Sequence, residues 1–167
     1  DGTSIAINTG VISLNTANTN TFTNTQIFAG SATALAVKLS NAKEVITISA
    51  TAATGTINID VSTQSILYYT TNSSANFTLN VRANGSNTLN SVMNIGESVT
   101  VVFMNTNGGT AYYPSAFQVD GSAVTPKWQG GTAPTSGNAS ATDVYTYTII
   151  KTAASTYTVL AAQSKFA

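Results

Sequence analysis

From Glu44 to the C-terminus apolar residues recur at every second position, in runs rich in Val, Ile, Thr, Tyr and Phe. A period of two belongs to a strand with one face buried, and β-branched and aromatic side chains fit that pleated surface. The pattern predicts strands near 44–50, 56–61, 65–71, 76–82, 97–104, 110–113, 116–120, 123–128, 142–151 and 155–162. Turn signals separate them at Thr54-Gly55, Asn72-Ser73-Ser74, Asn84-Gly85, Asn107-Gly108-Gly109 and Asp120-Gly121. Many short strands punctuated in this way predict an all-β fold, an antiparallel β-sandwich of jelly-roll type. Residues 87–94 are expected to form one helical turn.

The strand-rich region carries one conspicuous loop. Trp128, the single tryptophan, closes a strand and is followed by Gly130-Gly131 and Pro134. Proline cannot donate to a sheet ladder and paired glycines accept positive φ, so 129–140 reads as a surface excursion. The cleanest strand of the chain follows it, from Val144 to Ile150.

Ahead of Glu44 the sequence changes. Residues 1–30 alternate loosely between apolar and hydroxyl-bearing positions, and the run ANTNTFTNT has too few apolar side chains to form a core of its own. Residues 1–42 are therefore expected to form an extended N-terminal β arm or linker, with a short helix over 31–42 favoured by Ser31 as cap and by Leu35, Leu39 and Ala42. The sandwich domain is expected over 43–167. The chain starts at Asp1 without a basic or strongly apolar leader, which suggests the processed or ordered part of something longer and no membrane insertion.

Composition removes whole classes of chemistry. Without cysteine there is no disulfide, thiolate metal site or thiol nucleophile, and without histidine the side chain that titrates nearest neutrality is missing. Charged residues make up 7% of the chain and six Lys and Arg balance six Asp and Glu, so no basic face for nucleic acid is expected. The polar surface must be built from Thr, Ser and Asn, whose solvation hardly depends on salt. A glycosidase needs two carboxylates facing across a cleft, but Glu44 and Glu97 open strands and Asp120 sits in an Asp-Gly turn. Asp60, Asp120 and Asp143 lack the dense run of oxygen ligands that calcium requires. The expectation is no enzyme, no cofactor and no metal.

The candidate contact residues are Tyr68, Tyr69, Tyr112, Tyr113 and Trp128, with Gln129 and Asn138 of the adjoining loop. Neighbours in a strand point to opposite faces, so one tyrosine of each pair should look outward, toward a receptor or another subunit. Trp128 has two open roles, a core anchor or a recognition residue. The strands hold few of the Lys and Pro residues that blunt sheet edges, which points to a homo-oligomer.

Residues 43–167 resemble the C-terminal module of tail-fibre and virion structural proteins of marine tailed bacteriophages, especially those of cyanobacteria. The resemblance is carried by NFTLNVRANGSNTLNSVMNIGESVTVVF, by DVYTYTIIKTAASTYTVLAAQSKFA and above all by SAVTPKWQGGTAPTSGNAS, Ser122 to Ser140. Residues 1–30 are similar to the β linkers that precede such modules. The resemblance implies a non-enzymatic structural protein on the virion surface, in contact with other virion proteins. It implies a distal tail-fibre module for host attachment, binding a cell-surface glycan or protein, with a trimer by analogy with fibres. A capsid decoration or cement protein on the head lattice, or a bacterial surface adhesin or filament subunit, is the alternative.

Overall fold

The computed structural model describes residues 39–167 and, before them, Ile27, Ala32 and Val37. The expected arm over 1–42 and most of the helix over 31–42 lie outside the described residues; Leu39 to Ala42 are not helical. Ten strands follow: β1 (Thr47–Ala52), β2 (Gly55–Asp60), β3 (Ile66–Thr71), β4 (Phe77–Arg82), β5 (Ser98–Thr106), β6 (Pro114–Val119), β7 (Ser122–Ala123), β8 (Lys127–Trp128), β9 (Thr142–Ala153) and β10 (Thr156–Phe166). One four-residue helix, α1 (Leu89–Val92), interrupts them where a helical turn is expected. The fold is all-β, and Glu44–Ala167 forms one compact unit.

The strands make a six-stranded sheet in the order β1-β3-β5-β9-β10-β8 and a four-stranded sheet in the order β2-β4-β6-β7. The antiparallel jelly-roll expectation needs correction. β1, β3 and β5 run parallel to one another, as do β2, β4 and β6. Each of the first five turns carries the chain from one sheet to the other, so successive strands face each other across the core instead of pairing. Period-two patterning and a turn signal report that the chain reverses. They do not report whether the next strand bonds to its predecessor or crosses to the opposite layer. Antiparallel pairing is confined to β5–β9, the β9–β10 hairpin and the β6–β7 hairpin. That last hairpin turns on Asp120-Gly121, both at positive φ (53° and 78°), as its two-residue loop requires.

Inward residues of both sheets form one core. Ile57, Ile59, Phe77, Leu79, Val81, Phe117 and Val119 of the smaller sheet meet Leu67, Val101, Phe103, Tyr145, Tyr147 and Ile149 of the larger one. Phe77 and Phe103 lie 5.3 Å apart between ring centroids, and Phe117 stacks on Tyr147 at 4.5 Å. Helix α1 is too short to hold itself and is tied at both ends. The Asp120 carboxylate accepts from Leu89 N (2.6 Å) and Asn90 N (3.0 Å). At the other end the buried Lys151 Nζ donates to the carbonyls of Asn90 (2.7 Å) and Met93 (2.8 Å). An anion at the first turn and a cation at the last both suit the helix dipole.

The segment expected as a strand at 110–113 is not one. The buried Asn107 side chain accepts from Tyr112 N (3.1 Å) and donates to Tyr112 O (3.0 Å), so one amide takes both backbone groups that a ladder would need.

Candidate functional site

A cleft of about 300 Å³ lies between β6 and the segment from Val124 to Pro134. Tyr113, Phe117, Trp128, Tyr147, Pro126 and Pro134 contribute to its walls beside small aliphatic and hydroxyl-bearing residues, and no charged side chain lines it. Sheet register places the aromatics. Trp128 on β8 pairs with Ala161 on β10, and Ala161 pairs with Tyr147 on β9. The small alanine between two large side chains lets the indole reach across to Tyr147, edge-on at 5.8 Å. Tyr147 is fully buried, and its hydroxyl has no hydrogen-bond partner among the described residues. Burial pushes the ionisation of Tyr147 well above the usual tyrosine range.

A buried polar network holds the far end of the loop. Asp143 accepts from Asn138 Nδ2 (2.6 Å), Asn138 N (2.8 Å) and Asn107 Nδ2 (3.1 Å) while wholly buried. Asn105 joins the group through Ser73 Oγ at 3.0 Å and Asn107 Oδ1 at 3.3 Å. Amide donors thus compensate a buried carboxylate without a cation. Gly130 and Gly131 take positive φ (76° and 80°), as their pairing in the sequence predicts.

The structure distributes the sequence candidates among several places. Tyr113 and Trp128 meet in the cleft, Trp128 half-buried against the core. Gln129 is exposed and borders a second, more polar depression on which Trp128, Thr132 and Gln163 also open. Asn138 is engaged by Asp143, and Tyr112 has its backbone bound to Asn107. The pair Tyr68-Tyr69 divides as alternation predicts. Tyr69 packs inward on Phe103 at 5.3 Å, while Tyr68 is on the outer face, where the hydroxyls of Thr106 and Thr142 hold its pKa below the usual tyrosine value.

No protein-family model, curated protein or solved structure matches the chain. The chemistry of the site therefore rests on its own residues.

Four of the five carboxylate side chains of the described residues are engaged structurally. Asp60 pairs with Arg82 at 2.6 Å, and Glu97 accepts from Asn94 N (2.7 Å) and Nδ2 (3.0 Å), which lowers its pKa. Asp120 holds α1 and Asp143 holds the loop. Among the described residues no group of three or more acidic side chains is placed to hold a metal ion. The sequence marks Asn107 only as part of a turn and leaves Asn105 unremarked, although both positions carry a further signal. Asn105 and Asn107 share the parity of Val101 and Phe103, and a polar residue at a buried parity must find polar partners.

Proposed function

We propose that the chain is a non-enzymatic module on the exterior of a phage particle, the distal module of a tail fibre, which attaches to the host surface. The observation that carries this reading is the uncharged cleft with Tyr113 and Trp128 in its walls. An aromatic wall beside hydroxyl and carbonyl groups suits a neutral, amphipathic ligand such as the sugar rings of a cell-surface glycan. The module works as one of several copies with other virion proteins, and avidity supplies what a small cleft lacks. The engagement of Asp60, Glu97, Asp120 and Asp143 by structural donors supports binding over hydrolysis.

Ser115 is exposed on β6 at the cleft, so Ser115→Trp fills it from the solvent side without entering the core. Labelled protein should bind host cells, and Ser115→Trp and Tyr113→Ala should each weaken that binding by about tenfold or more, the scale of losing one aromatic contact of 1–2 kcal/mol. Binding should change little between about 0.1 and 1 M salt, because no charge pair is made. Wild-type binding by both variants would count against the cleft. Antibody label on the head lattice instead of the fibre tips would move the module to capsid decoration.

A further inference from the structure

The two outer faces of the domain differ in kind. On the four-stranded sheet the outward positions are polar: Asn58 bonds to Asn80 at 2.8 Å, Asp60 pairs with Arg82, and Thr56, Thr78 and Gln118 stand beside them. That is the face expected of a sheet exposed to water on one side. The outer face of the six-stranded sheet mixes apolar residues with hydroxyls, among them the Thr100–Thr148 pair at 3.0 Å, Ser98 and Thr158. Register places Tyr68, Met104, Val144 and Ser164 in one outer row and Ile66, Val102, Thr146 and Ala162 in the next. Leu160 and Ile150 extend the surface on one side, Phe166 on the other, and Ile48 lies at the edge strand β1. On β1, β3, β5, β9 and β10 no outward position is charged; Lys127 of β8 stands at the rim, paired with Leu160. Ile48 is 68% exposed, Phe166 60% and Leu160 46%.

An outer face without charge that carries this much aliphatic and aromatic surface between its hydroxyls is suited to a partner. We propose that the outer face of the six-stranded sheet is where copies of this chain associate. Size favours a copy as occupant. Five strands spaced about 4.8 Å apart and about 30 Å long present roughly 700 Å², close to the roughly 800 Å² each partner buries in a stable interface. Charge favours it too. The face offers nothing to an acidic or basic partner, and chains with six positive and six negative groups do not repel one another. The edge strand β1 carries no Lys or Pro within Thr47–Ala52, so nothing on it discourages a neighbour. Association here is independent of the host-attachment reading, since the cleft lies elsewhere and its binding is measured separately.

Light scattering on the full chain tests this. The wild type should have a mass of at least two chains of 17.1 kDa each. Thr146→Lys, at the centre of the face, and Leu160→Lys, at an exposed position that cannot disturb the core, should each lower it to that of a single chain while keeping a cooperative unfolding transition. Thr56→Lys, on the polar outer face of the other sheet, should keep the wild-type mass. A monomeric wild type would overturn the proposal. So would an undiminished mass for Leu160→Lys, or equal loss of assembly in Thr56→Lys.

Discussion

Gly137→Ala is expected to destabilise the domain by about 3–5 kcal/mol, the scale of leaving a buried charge without its partners. Gly137 does not need positive φ, so the cost is steric. A Cβ there would overlap the Tyr112 carbonyl oxygen and lie 2.8 Å from Asn107 Nδ2 and 2.9 Å from Asp143 Oδ2. Two of those groups belong to the network that satisfies Asp143, and the third is backbone held by the same Asn107. None is the free end of a flexible side chain. The loop must move away, taking with it Asn138, which supplies two of the three hydrogen bonds to the buried carboxylate. Gly109→Ala is the control, since nothing lies within 4 Å of its Cβ position. Urea unfolding should separate the two variants widely. Equal midpoints would mean that the loop is not held through Asp143.

The second large effect is alkaline. Burial pushes Tyr147 and Tyr145 far above the usual tyrosine pKa, with the Asp143 carboxylate adding to the shift at Tyr145. Burial and the Asp120 carboxylate raise Tyr157 to about 12. The unfolded chain ionises its tyrosines near pH 10, whereas the folded chain keeps these protonated. Their contribution is therefore intact below pH 10 and is lost as pH climbs from there toward the folded values. Each fully shifted tyrosine removes about 1.4 kcal/mol per pH unit in that window, so Tyr145 and Tyr147 together remove about 3 kcal/mol per unit. Against a total of about 5–15 kcal/mol for a typical domain, unfolding is expected within a few units above pH 10. The urea midpoint should hold steady between pH 7 and 9 and then fall, with tyrosinate absorbance appearing together with unfolding. Tyr147→Phe should reduce the slope by one tyrosine's share. At pH 7 it should cost little, because the hydroxyl it removes has no partner among the described residues. An unchanged slope in that variant would contradict the assignment.

Strand identity was legible in the sequence because the larger sheet has strict alternation. From Thr142 to Lys151, half-buried and buried residues alternate without a break, and Tyr145 and Tyr147 fall on the buried side. Sheet membership was not legible. The turn at Ala53-Thr54 resembles a hairpin in composition, yet Ala53 is fully buried and the chain crosses there from β1 to β2 in the other sheet. Nothing local distinguishes a hairpin from a crossover when both need a short reversal. The strand expected at 110–113 failed for a different reason, since the partner of Tyr112 is a side chain and no backbone ladder forms. Of the candidate contact residues, Trp128 and Tyr113 converge because Ala161 is small, a condition set by strands distant in sequence. The two open roles of Trp128 also meet in one place: it packs against the core and lines the cleft. The structural duties of Asp120, Asp143 and Lys151 depend on groups 5 to 61 residues away, which only the fold brings near.

Attachment without chemistry at the Tyr113–Trp128 cleft is tested most directly by one titration. Purified protein is titrated with neutral polysaccharide from the host surface while new reducing ends are counted in the same sample. Saturable binding that Ser115→Trp weakens by about tenfold or more, with no reducing ends released, is the predicted result. Release of reducing ends, or binding that is the same in wild type and Ser115→Trp, would contradict it.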